Sequence, residues 1–290
     1  MPRSIKKKKS LKSKTAKRWI SVSKKICSDR GGCYNNFSKD IGVYVINCKM
    51  HVSRFSKFKT YSSEAGVKAC RIPCVLGKKF KDLTLCRMIK DDILSEKAEM
   101  TNIEVSINMS HYNAWQKLIT SCKEYALILE DDIELKRDFV QNVNSILDHL
   151  ERKKMKFSIL HLWNGNWART KTACKNITSV NIVDKKIKII KETREYNAGA
   201  AAYIISREYA IWLSDHFFPI EIPQDILMGL YVKHGNHLSL KMKWNKEESC
   251  YQSPLLDMPC GGEGGTGSQT TQQYDADLVD ELNCPIHLKI

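Results

Sequence analysis

The stretch YALILEDDIEL, Tyr125 to Leu135, runs apolar for several residues and then ends on three adjacent carboxylates, Glu130, Asp131 and Asp132. A short apolar run closed by polar residues reads as a buried strand. A strand that carries acids at its carboxyl end presents them where open α/β sheets gather their ligands. Adjacent like charges repel, and a divalent cation is one way to neutralise them; ligands that are all oxygen favour Mg2+ or Mn2+ over Zn2+. The segment DDIELKRDF equally fits the acid-rich first turn of a helix, where anions are favourable. Taken alone, the stretch leaves both readings open.

Outward from it, the apolar residues Val105, Met109, Tyr112, Trp115, Leu118, Ile119 and Cys122 recur at helical spacing. On the other side Phe139, Val143, Ile146, Leu147 and Leu150 share one helical face. IGVYVIN, Ile41 to Asn47, is a β-branched and aromatic run that predicts a buried strand. A polar helix over Val52 to Ala65, a stop at Gly66 and a second strand in ACRIPCVL follow. Downstream, FSILHLW (Phe157 to Trp163) predicts a strand, and Val180 to Val183 with Ile187 to Ile190 predict a hairpin. AGAAAYIIS reads as a central strand or a tightly packed small-residue element, and Pro223 to Lys233 as a helix with proline near its first turn. Strands alternating with helices predict an α/β fold: a mostly parallel central sheet flanked by helices, in one domain over residues 39–255.

The chain has 290 residues and a formal charge of +15, but the charge is unevenly spread. Residues 1–30 hold 12 of the 47 basic residues and one acid, which leaves the rest at +4. Residues 1–38 therefore read as a disordered basic tail, too poor in apolar residues to order itself. Such a tail suits nuclear targeting, or adhesion to nucleic acid or an anionic surface, or simple solvation. Residues 256–290 read as a polar, glycine-rich tail. Its Gly262-x-Gly264-x-x-Gly267 lacks the strand and helix that a dinucleotide site requires. The 11 cysteines show no metal-ligand spacing and read as reduced, buried or incidental thiols. No apolar run reaches bilayer-spanning length and no secretory signal is evident, so the expectation is a soluble, cytoplasmic protein. Three Asn-x-Ser/Thr sequons, at Asn36, Asn108 and Asn176, pull weakly the other way.

The order of the motifs supplies what no single one does. VINCKMHVSRFSKF, SINMSHYNAW, YALILEDDIEL, FSILHLWNGN, NAGAAAYIISREYA and PIEIPQD follow one another over about residues 41 to 255. In this series the chain resembles glycosyltransferase family 25, the lipooligosaccharide and procollagen galactosyltransferase family. The resemblance implies a GT-A-like fold and an inverting hexosyltransferase that takes a UDP-sugar, galactose or glucose, with Mn2+ or Mg2+. Its acceptor would be a glycan or a hydroxylated protein.

Residue by residue, the resemblance assigns the nucleotide half of the donor to the first strand and turn. Ile46, Asn47 and Arg54 match there, while Cys48 replaces a leucine and Met50 and His51 stand where charged residues are usual. The family's Gly-Glu-x-Gly-Cys-x-x-Ser-His falls on Ile103 to His111. Glu104, Ser110 and His111 match, and Ile103, Ser106 and Ile107 depart, which bears on donor choice. Glu130, Asp131 and Asp132 match fully, with Asp132 the implied metal ligand and Glu130 on the ribose or a metal-bound water. Asp225 is the implied base and Glu221 its competitor. Asn197 is placed along the donor pocket, and Trp163, Trp167 and Tyr203 are candidates to stack on a sugar. Two other readings stay open: binding of nucleic acid or an anionic surface through the basic tail, and a transferase fold that binds glycans without turnover.

Overall fold

Strand β1 (Ile41–Asn47) is buried along its whole length, as its unbroken apolar run requires of a strand covered on both faces. It lies between β2 (Cys70–Pro73) and β3 (Tyr125–Glu130), parallel to both. The computed structural model describes residues 37–163, 180–184, 187–191, 199–230, 236–245 and 250–257. Within these, β5 (Ile159–His161), β6 (Val180–Ile182), β7 (Lys188–Lys191), β8 (Ala202–Ser206) and β9 (His237–Leu240) complete an eight-stranded sheet, with β4 (Glu134–Leu135) outside it. The order is β2-β1-β3-β8-β5-β9-β7-β6. The α/β expectation holds, and so do the expected hairpin, β6 with β7, and the central position of β8.

The alternation rhythm does not give β8 its direction. It runs antiparallel to both β3 and β5, while β5 and β9 run parallel. Elements not anticipated include the helix Asp82–Lys90, the strand β9 and the helix Arg207–Asp215. The last follows β8 directly, capped by the Ser206 hydroxyl on the Tyr209 N–H.

The helices are α1 (Val52–Glu64), α2 (Asp82–Lys90), α3 (Asn102–Thr120), α4 (Phe139–Arg152), α5 (Arg207–Asp215) and α6 (Gln224–Leu230). Strand alternation sends Val43 and Val45, with Leu127 and Leu129, to one face of the sheet, where α4 contributes Phe139, Val143 and Ile146. Tyr44 and Ile46, with Ala126 and Ile128, point the other way, onto Trp115 and Leu118 of α3 and Leu213 of α5. The two apolar layers hold the sheet rigid between them. Helix α3 begins on a capping box: Thr101 accepts from the Glu104 N–H, and the Glu104 carboxylate accepts from the Thr101 N–H at 2.7 Å.

Cysteine chemistry departs from the reduced-thiol reading. Parallel pairing of β1 and β2 brings Cys48 and Cys74 to a Cα separation of 4.8 Å, and they form a disulfide. Cys70 and Cys122 are disulfide-bonded as well. Parallel strands align cysteines far apart in sequence, so spacing carried no signal. The Asn108 sequon is buried in α3, with the amide fully enclosed. Among the described residues no helix is long and apolar enough to cross a membrane.

Candidate active site

Register sets the site. Pro73 pairs with Asn47, and Ile46 pairs with Glu130, so β2, β1 and β3 all end at one edge. A cavity of about 300 Å³ opens there. Val75, Leu76, Ile103 and Ile107 give it apolar lining, and Arg54, Ser110, His111 and the three acids give it polar lining. Gly77 in the turn after β2 is held against the start of α3. A Cβ on it would lie 2.5 Å from the Asn102 carbonyl oxygen, so this side of the cavity can close only with glycine.

The three acids are not equivalent. Asp131 is buried; it accepts a hydrogen bond from the Asn47 amide and pairs with Arg54 Nη2 at 2.5 Å. Glu130 lies 3.2 Å from His111 Nε2. Asp132 shares Arg54 through Oδ2, at 3.0 Å, while its buried Oδ1 has no hydrogen-bond partner. Burial, then the charge of Glu130, pushes the Asp132 pKa up to about 7, against the opposing pull of Arg54. Asn47 Oδ1 and Arg54 Nε are likewise buried without partners. Three unsatisfied polar atoms in one cluster are uncommon in a folded interior and mark a place where a ligand or ion completes the bonding.

That cluster fits a divalent cation. Its two unmatched oxygens, from the Asp132 carboxylate and the Asn47 amide, are of the ligand type hard cations select. Among the described residues no three His, Cys, Asp or Glu side chains form a metal cage. A cation held here would take one or two carboxylates from the protein, as is usual for Mg2+ held jointly with substrate phosphates.

The other expected residues divide. Ser110 lines the cavity, accepting from the Val75 N–H at 2.9 Å and donating to the Ser106 carbonyl. Glu104 is committed to the α3 cap and lies outside the cavity lining. Asp225, in the first turn of α6, accepts from the Gly199 N–H at 2.9 Å and from the Ile226 N–H at 2.8 Å. Burial raises its pKa, and those two N–H groups oppose the rise. Glu221 is exposed and accepts from the Ser95 hydroxyl at 3.1 Å. Trp163 packs on Ile190 and Met242. Tyr203 is fully buried and has no face to offer a sugar. Asn197, Trp167 and the glycines at 262, 264 and 267 lie outside the described residues.

Sequence reasoning missed Asn108. Its amide donates to the Ile222 carbonyl at 2.8 Å and accepts from the Gln224 N–H at 2.7 Å, so α3 carries the segment that presents Asp225. The signal was present, because Asn108 precedes His111 by three residues and so shares its helical face. It was read only as a sequon.

A sequence profile of Glycosyltransferase family 25 (LPS biosynthesis protein) matches residues 40–228, more than half of the chain. The chain belongs to glycosyltransferase family 25. It is 25% identical over 255 residues to a Drosophila melanogaster "Glycosyltransferase 25 family member", covering 82% of this chain and 39% of that protein. An Aedes aegypti protein of the same description is 31% identical over 116 residues, 38% of this chain and 19% of its own length. The Haemophilus influenzae "Lipooligosaccharide biosynthesis protein lic2B" is 34% identical over 127 residues, 41% of this chain and 43% of that protein. The chain thus spans less than half the length of these relatives.

Proposed function

We propose that the chain transfers a hexose, galactose or glucose, from a UDP-sugar to a hydroxyl of a glycan or protein acceptor, inverting the anomeric centre with the help of a divalent cation. The observation that carries this reading is the cluster of unsatisfied buried atoms, Asp132 Oδ1, Asn47 Oδ1 and Arg54 Nε, at the strand ends. A diphosphate brings oxygens for Arg54, and its cation answers the Asp132 carboxylate. The name of the Haemophilus relative supports a glycan acceptor.

Asp132, with Glu130, would hold Mn2+ or Mg2+, which when bound neutralises charge developing on the departing UDP. Asp131 fixes Arg54, and Arg54 in turn presents a planar, permanently charged fork to phosphate oxygens. The apolar residues Ile103 and Ile107 keep water from the donor. Asp225 accepts the acceptor hydroxyl's proton; its raised pKa makes it a stronger base than an ordinary carboxylate. Glu221, by contrast, stands exposed at the surface.

UDP release from UDP-galactose and UDP-glucose with Mn2+ and a panel of glycan acceptors tests the proposal. Asp225→Asn is expected to lower turnover by ~100-fold or more while UDP still binds. Absence of turnover with every donor would contradict the transfer reading. Loss of turnover in Glu221→Gln but not in Asp225→Asn would move the base to Glu221.

A further inference from the structure

Behind Glu130 runs a buried chain of hydrogen bonds. Trp115 Nε1 lies 2.9 Å from the Tyr203 hydroxyl, that hydroxyl lies 2.9 Å from His111 Nδ1, and His111 Nε2 lies 3.2 Å from Glu130 Oε1. Trp115 and Tyr203 are fully enclosed and His111 is 1% exposed, so water does not compete for the two inner bonds. His111 and Trp115 sit one helical turn apart on α3. Tyr203 on β8 pairs with Ile128 on β3, two residues before Glu130 and therefore on the same face of the sheet. Two layers of the fold thus converge on one line of polar atoms.

We propose that Tyr203 is a positioning residue that fixes the tautomer of His111, and through it the aim of Glu130 at the donor cavity. The count of protons decides the direction. Trp115 Nε1–H only donates, so the Tyr203 oxygen accepts there. Tyrosine has one proton left to give, and the only other partner of its hydroxyl among the described residues is His111 Nδ1. The hydroxyl donates to Nδ1, which must carry the lone pair. The imidazole proton then sits on Nε2 and donates to Glu130 Oε1. The reverse arrangement leaves the Tyr203 proton without an acceptor in a sealed site and turns a nitrogen lone pair toward a carboxylate. Burial also pushes the Tyr203 pKa far above its ordinary value, which keeps the hydroxyl protonated as a donor.

The arrangement resembles the way metal-ligating groups elsewhere are held by partners one bond removed, whose loss weakens binding without altering the ligand itself. Glu130 lines the cavity, and its side chain is about one third exposed. Without His111 Nε2–H its carboxylate loses the hydrogen bond that aims it. Sequence alone pointed to Tyr203 only as a sugar-stacking candidate; the strand pairing converts it into the middle of the relay.

The functional consequence rests on the donor-site reading, but the relay itself can be tested apart from it. Long-range ¹⁵N–¹H spectra of the full chain report which ring nitrogen of His111 carries the proton. The relay requires the Nε2–H tautomer in the wild type; an Nδ1–H tautomer overturns it, whether or not UDP binds. In Tyr203→Phe the spectrum is expected to shift to a mixture of tautomers, and the affinity for UDP with Mn2+ is expected to fall on the order of tenfold. A variant that keeps both the wild-type spectrum and the wild-type affinity also overturns the proposal. A purely packing role for Tyr203 would lower the melting temperature and leave the tautomer unchanged. If wild-type chain shows the Nε2–H tautomer yet binds no UDP with Mn2+, the relay stands and the donor reading falls.

Discussion

At the residue scale, each carboxylate in the cluster acquires its role from what lies within 3 Å or so. Asp131 is spent on Asn47 and Arg54, whereas Asp132 keeps an oxygen with nothing to bind. Glu104 shows how the same residue can satisfy a motif and still serve another purpose. It matches the family pattern, yet its carboxylate closes the α3 cap through Thr101. Thr101→Ala is accordingly expected to cost about 1 kcal/mol of stability in urea denaturation and to leave UDP affinity unchanged. A large loss of affinity with unchanged stability would return Glu104 to the donor pocket. Glu130, Asp131, Asp132, Ser110 and His111 were legible because they stand in short contiguous motifs. Asn108, Trp115 and the role of Tyr203 were not, because their partners come from other elements.

At the scale of elements, the clearest new constraint is the disulfide between the ends of β1 and β2. Both cysteines line the cavity, and they tie the Asn47 turn to the turn that contacts Ser110. With a sequence separation of 26 between the linked positions, the loss of loop entropy predicts that Cys48→Ser costs ~3 kcal/mol. A urea midpoint unchanged from the wild type would contradict this. A second constraint lies between β5 and β9, where neither ring nitrogen of His161 has a hydrogen-bond partner. Burial, with His237 beside it, pushes the His161 pKa from 6.5 down to about 3, and burial pushes that of His237 to about 4. The unfolded chain takes up these protons below its ordinary histidine pKa, and the folded chain refuses them until much lower pH. Their contribution is therefore complete above about pH 6.5 and is lost as the pH falls toward 4. The melting temperature should drop between pH 7 and pH 4.5, and His161→Phe should flatten that drop. An equally steep drop in the variant would remove His161 as its cause.

At the scale of the whole molecule, the sheet is what makes a site from scattered motifs. The apolar runs of β1 and β3 and the helical faces of α3 and α4 were readable because each buries a regular face against the core. Strand directions were less readable: β8 is flanked by apolar neighbours on both sides, and nothing in AYIIS distinguishes a reversed strand from a parallel one. Its reversal nonetheless matters, because it brings Tyr203 to the end of the sheet where Glu130 stands and places Gly199 against Asp225. The Cys48–Cys74 disulfide was unreadable for the same reason, since register and not spacing brings its cysteines together. All of this architecture converges on one carboxylate with an unmatched oxygen. Calorimetric titration of UDP into the full chain, with and without Mn2+, tests that point most directly. The wild type is expected to bind UDP with Mn2+ and to lose about 100-fold or more in affinity either without Mn2+ or in Asp132→Ala. Equal UDP affinity in wild type and Asp132→Ala in the presence of Mn2+ would contradict the account.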